Sequence, residues 1–82
     1  MDKKYHVISI TVHNKDKVYK EVSELLHDFS DSICLRVGYP IKDKNIAIIF
    51  LIINTTTDAI GALSGKLGQL KFVKVKVTTL KD

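Results

Sequence analysis

The stretch "IAIIFLIIN", residues 46–54, decides the fold. A strand with one wet face alternates apolar and polar residues, and this one does not alternate. Its two faces are both apolar, so it reads as a central strand covered on both sides. It is rich in β-branched residues and falls well short of the ~20 residues a membrane-spanning helix needs.

Reading towards the N-terminus, "IKDKN" (41–45) is a polar, hairpin-like connection. Before it, "ICLRVGY" (33–39) is a second strand, stopped by Pro40. Simple alternation puts Ile33, Leu35 and Val37 on one face and Cys34, Arg36 and Gly38 on the other. Residues 4–12, "KYHVISITV", are a strand with His6, Ile8, Ile10 and Val12 on one face and Tyr5, Val7, Ser9 and Thr11 on the other. In "HNKD" (13–16), Asn14 is the expected N-cap of a helix, with Asp16 in its first turn. Val18, Val22, Leu25, Leu26 and Phe29 then recur at helical spacing, which predicts an amphipathic helix to about Ser30.

Reading towards the C-terminus, "TTTD" (55–58) punctuates the chain. Thr55 with Asp58 resembles a capping box, and Thr57 is the alternative cap. Ile60, Leu63, Leu67 and Leu70 give a second helical stripe. "FVKVKVTT" (72–79) is a final strand, with Val73, Val75 and Val77 inward and Phe72, Lys74 and Lys76 outward.

The element order is strand, helix, strand, strand, helix, strand. This is the ferredoxin-like α+β sandwich: an antiparallel four-stranded sheet in the order 4-1-3-2, with two right-handed crossovers placing both helices on one face. The whole of 1–82 makes a single domain. The other sheet face carries apolar residues with no cover of their own. A chain this short also buries only about 60% of its unfolded surface. Both points predict a homo-oligomer, a dimer or tetramer, through sheet faces or edge strands.

The net charge is +4, with 13 basic and nine acidic residues. The lysines are scattered and interleaved with acids, which describes a solvated surface and not a phosphate-tracking stripe. Phe50 is the one aromatic on the third strand, so the base-stacking platform of RNA-binding relatives of this fold is absent. Direct nucleic-acid binding is not expected. A lone Cys34 excludes an internal disulfide and suits a reducing compartment. With no signal-like N-terminus and no membrane span, the expectation is a cytoplasmic protein.

The chemical motifs fail on spacing. "GALSGKLGQL" (61–70) has three residues between Gly61 and Gly65 where a phosphate-cradling loop needs four, and Leu67 stands where that loop carries a hydroxyl. Gly61, Gly65 and Gly68 instead fall within ~60° of one another on one helical strip. Each costs a helix about 1 kcal/mol against alanine, so the strip predicts close packing by the first helix or by another subunit. Gly68 alternatively helps end the helix. His6, His13, His27 and Cys34 lack the tight pairing of a metal site, so no metal or cofactor is expected. His6 reads as a satisfied core or rim histidine. Neither a nucleophile–base arrangement nor the anion loop of acylphosphatases appears, and the chain is not read as an enzyme.

The stretches "RVGYP" (36–40) and "ALSGKLGQLKFVKVK" (62–76) resemble a small family of iron-only hydrogenase system regulators. These are short domains of the ACT type, similar also to the C-terminal domain of the nickel-responsive regulator. The helix "TTDAIGALSGKLGQL" (56–70), running directly into the last strand, is the most specific part of the match. The resemblance implies a regulatory oligomer that binds a small-molecule effector where the loop after the first strand meets a neighbouring subunit. Two family features are missing. The glycine common in that loop is replaced by "HNKD" (13–16), and the nickel ligands His-x-His and Cys map onto Arg36, Gly38 and Lys44. Nickel sensing there is not expected. With no DNA-binding segment ahead of the first strand, any control of transcription is expected to pass through a partner.

The expected ligand-binding set is His13, Asn14, Arg36, Gly38 and Tyr39, with Arg36 suited to a bidentate carboxylate or phosphate. The alternative is an assembly or adaptor module that binds a protein partner and has no small-molecule ligand.

Overall fold

Two ten-residue strands form the centre of the molecule. In the computed structural model, which describes residues 2–81, strand β1 (Lys4–His13) pairs antiparallel with β3 (Ile46–Thr55) along its full length. Ile8 lies opposite Leu51 and Ile10 opposite Ile49, so the two apolar rows coincide on one face. Strand β2 (Ile33–Ile41) flanks β3, and β4 (Val73–Thr79) flanks β1. The sheet order is β2-β3-β1-β4, the expected 4-1-3-2 read from the opposite edge.

Helices α1 (Lys15–His27) and α2 (Thr57–Gln69) cover one face. Val18, Val22 and Leu26 of α1 and Ile60, Leu63 and Leu67 of α2 join Ile8, Ile10, Val12, Ile49, Leu51 and Ile53 in one core. Each side chain buried there contributes about 1.5–3 kcal/mol. His6 closes the core at one end. Its Nε2 donates to the Thr55 carbonyl at 3.0 Å, and its Nδ1 meets the Thr79 hydroxyl at 2.9 Å. It therefore ties β1 to both neighbouring strands from a fully buried position, the satisfied core role expected of it.

The structure corrects several local expectations. Helix α1 ends at His27, three residues before Ser30, and a 3-10 turn, Ser30–Ser32, leads into β2. Asn14 sits at the N-cap position, yet its side chain does not cap. Its backbone is left-handed (φ 55°), and its Oδ1 accepts from Asn45 Nδ2 at 3.3 Å. The chain must turn from β1 into α1 within one residue, and asparagine tolerates the left-handed region that this demands. Helix α2 is capped by Thr56, whose hydroxyl accepts from the Ala59 N–H at 3.1 Å. Neither Thr55 nor Thr57 caps it, because Thr55 still belongs to β3 and Thr57 is already helical.

Ile33 is not on the face of Leu35 and Val37. A bulge between Ile33 and Leu35 shifts the register. Ile33 pairs with buried Ile53 and packs on the core, whereas Leu35 and Val37 pair with Ile52 and Phe50 on the opposite face. One unpaired residue inverts the alternation beyond it. Strand β4 begins at Val73, and Phe72 lies in the turn before it with φ 68°.

Asn14, Asn45 and Phe72 are the non-glycine residues with positive φ among those described. They meet at one end of the sheet. His13 N–H donates to the Phe72 carbonyl at 2.7 Å and Lys15 N–H to the Asn45 carbonyl at 3.1 Å. The β1–α1 turn is thus held from both sides by the two other connections at that end. A bulky aromatic residue in the left-handed region is strained. Phe72→Gly is expected to raise stability by about 0.5–1 kcal/mol, the relief exceeding the added entropy of the unfolded chain. A rise of a few degrees in melting temperature is the readout; a fall would show that the Phe72 ring contributes more than its backbone costs.

Candidate functional site

The bulge decides what β2 shows to the helices. Beyond it, Arg36, Gly38 and Pro40 lie on the helix side, opposite Leu51, Ile49 and Ala47. Gly38, Pro40 and Ala47 are small, and β2 is an edge strand that α1 does not reach across. A groove of about 340 Å³ remains between the first turns of α1 and the sheet. Lys15, Asp16 and Tyr19 form one wall, residues 38–40 of β2 the other, and residues 47–49 of β3 the floor. This volume lies at the low end of the range for small-molecule sites. The groove is mostly apolar, with an ammonium and a carboxylate on adjacent residues at the N-terminal turn of α1. The positive end of the helix dipole lies at the same place.

The structure brings two of the five candidate residues, Gly38 and Tyr39, to the edge of this groove, Gly38 on the helix side and Tyr39, which pairs with Ile48, at an outward position of β2. Arg36 is exposed on the helix side of β2, one step along from Gly38 towards the bulge. His13 and Asn14 do not line the groove. His13 ends β1 opposite Ile46, on the outer face, and the Asn14 side chain is engaged by Asn45. Lys15, Asp16, Tyr19, Pro40 and Ala47 are lining residues that sequence reasoning missed. Pro40, Gly38 and Ala47 become a signal once the β2–β3 register is known, because together they leave a strip without bulk. Among the described residues, no group of three or more His, Cys, Asp or Glu side chains could hold a metal ion. No helix among them is long and apolar enough to cross a membrane.

Residues 4–77 match the family model described as "TM1266-like: Iron-only hydrogenase system regulator, putative". The chain belongs to this family. Protein TM1266 from Thermotoga maritima, uncharacterized by its own description, has a solved structure that is 52% identical. It superimposes with a TM-score of 0.93 over 98% of this chain and 100% of that one. The crystal structure of the ACT domain from the GTP pyrophosphokinase of Chlorobium tepidum is 24% identical. Its TM-score is 0.75, over 95% of this chain and 99% of that one, which shows a shared fold. The solution structure of that ACT domain gives a TM-score of 0.71 at 25% identity, over 100% of this chain and 91% of that one. No curated protein matches the sequence. Family and fold together place the chain among ACT-like regulatory domains.

The glycine strip that the family match includes has no partner among the described residues. A Cβ placed on Gly61, Gly65 or Gly68 meets no atom within 4 Å. The expected close approach by α1 is not made. Leu63 and Leu67 fix the rotation of α2, and the glycines point away from them into solvent. Replacing all three by alanine is expected to stabilise the protein by about 2 kcal/mol in total, measured by denaturant unfolding. Loss of stability on that change would show that something outside the chain packs on the strip.

Proposed function

We propose that this domain is a small-molecule-sensing regulatory module, acting as a homo-oligomer, with its ligand in the groove between α1 and β2. The observation that carries the reading is the groove itself. It is a concave, largely apolar cleft with opposite charges of Lys15 and Asp16 at its mouth, in a fold shared with an ACT domain. Those charges suit a ligand with both a carboxylate and an ammonium group, an amino acid or a close analogue. Tyr19, Pro40, Ala47 and Ile49 offer an apolar bed for its side chain. Arg36, nearby on the same side of β2, supplies a second cation for a carboxylate or phosphate.

The adaptor reading draws support from a different observation, the exposed apolar residues on the outer face of the sheet. Ligand binding separates the two. A thermal-shift panel of amino acids, nucleotides and metal ions is expected to yield a compound that raises the melting temperature, since a ligand at 100 times its Kd adds about 2.7 kcal/mol. Gly38→Val is expected to remove that shift and leave the fold intact. No atom lies within 4 Å of its Cβ position, its φ is not positive, and valine favours strands. A panel without any shift would leave the adaptor reading standing. A shift that survives in Gly38→Val would move the ligand elsewhere.

A further inference from the structure

Lysines scattered along the sequence are gathered by the fold. The β1–α1, β2–β3 and α2–β4 connections lie at one end of the sheet, tied together by the bonds from His13 N–H to the Phe72 carbonyl and from Lys15 N–H to the Asn45 carbonyl. These connections and the first turn of α1 carry Lys15, Lys17, Lys42, Lys44 and Lys71 against Asp16 and Asp43, a net +3 of the chain's +4. Helix α1 begins at this end and α2 finishes there, so the two helix dipoles offset one another and the lysines set the sign. With the sheet order β2-β3-β1-β4 and strands ~4.8 Å apart, the charge extends over roughly 14 Å. Phe72 stands among these lysines. Its φ is 68°, its side chain is 51% exposed, and it takes no part in the core. Glycine would hold this turn with less strain. Strain kept where the fold leaves the side chain unused points to a use outside the fold. The ring borders a second groove, of about 380 Å³, lined also by Lys17, Lys71, Val18, Leu70 and, as its one carboxylate, Glu21.

We infer that this end of the domain binds single-stranded nucleic acid, with one base stacked on Phe72 and the phosphates of the strand crossing the lysines of the three connections. A bare polyanion uses the lysines and leaves the ring idle. An apolar partner uses the ring and desolvates ammonium groups without pairing them. A nucleotide strand carries a π-face and a negative charge in every unit, so it uses both. A free nucleotide gathers its phosphates in one place, whereas these lysines reach across the width of the sheet. A duplex keeps its base faces stacked on one another, out of reach of the ring. The sequence expectation of a solvated surface judged each lysine by its neighbours in the chain, and the fold supplies different neighbours. One ring and about three phosphate contacts, one for each connection, make a short site that salt weakens strongly. Lys15 is shared with the groove between α1 and β2, but the site needs no ligand there.

Fluorescence anisotropy with the full chain and a labelled oligothymidylate of about ten nucleotides tests it. The wild type is expected to bind at low salt, with log K falling against log salt at a slope of about −2, the value for three phosphates on a single strand. Phe72→Gly is expected to weaken binding about tenfold or more, the loss of one stacked base, while its melting temperature does not fall. Phe72→Asn, which also tolerates the left-handed backbone, is expected to do the same. The double variant Lys42→Glu, Lys44→Glu is expected to flatten the salt slope by about 0.7 or more. Glu21→Gln is expected to tighten binding, and Lys81→Glu, at the far end of the sheet, to leave it unchanged. Gly38→Val is expected to bind as the wild type does, so loss of the effector and loss of the strand are separate results. No anisotropy change at low salt overturns the inference. So does binding that both Phe72 variants leave intact, or a polyglutamate peptide of equal charge that binds as tightly as the oligonucleotide.

Discussion

The need of β3 to be covered on both faces governs this molecule. Its inner row, Ala47, Ile49, Leu51 and Ile53, is buried by the helices. Its outer row, Ile48, Phe50 and Ile52, pairs with Tyr39, Val37 and Leu35 of β2 and with Thr11, Ser9 and Val7 of β1, and faces away from the helices. Pairing with β1 along ten residues satisfies the backbone of β3 on one side, and β2 satisfies it on the other. Within one copy, nothing more can be done for the outer row. Strand β3 is paired on both sides and buried on one.

The parts of this arrangement legible in the sequence are those set by periodicity over long segments. The alternation of β1, the unbroken apolar run of β3 and the stripes Val18–Val22–Leu26 and Ile60–Leu63–Leu67 each allow one element type and one inward face. Strand order then follows from chirality and connection length. What stayed hidden were single-residue decisions. Thr55, Thr56 and Thr57 are chemically equivalent caps, and only the end of the β3 ladder selects Thr56. The turn conformation of Phe72 is imposed by the path from α2 to β4, and its aromatic side chain suggests strand. In β2 the odd-numbered residues from Ile33 to Ile41 are all aliphatic or aromatic, which reads as one inward face throughout, and only the pairing with β3 reveals the slip of one at Cys34.

The candidate groove was half visible for the same reason. Gly38 and Tyr39 sit in a strand that any reading marks as unusual, because glycine and proline flank an aromatic residue there. Lys15, Asp16 and Tyr19 lie off the apolar stripe of α1, where sequence reading sees ordinary surface. Their part in a cleft depends on how far an edge strand extends beyond the helix that covers its neighbour. That is a tertiary distance, and no local pattern encodes it. The single arginine drew attention by its rarity, yet its position beside the groove is again a matter of register.

The β2 bulge behaves like a frameshift. Before it, the strand is read with odd-numbered residues inward, as Ile33 shows. After it, the same parity faces outward. In the unshifted frame Leu35, Val37 and Tyr39 would fill the space under α1, and the outer face would receive Arg36, Gly38 and Pro40: a closed cleft and a polar, self-sufficient exterior. One extra residue exchanges both properties together, hollowing the inside and making the outside adhesive. Deletion of Cys34 would remove the bulge and keep both properties, because Ile33 and Leu35 would become neighbours in a regular strand opposite Ile53 and Ile52, already on opposite faces.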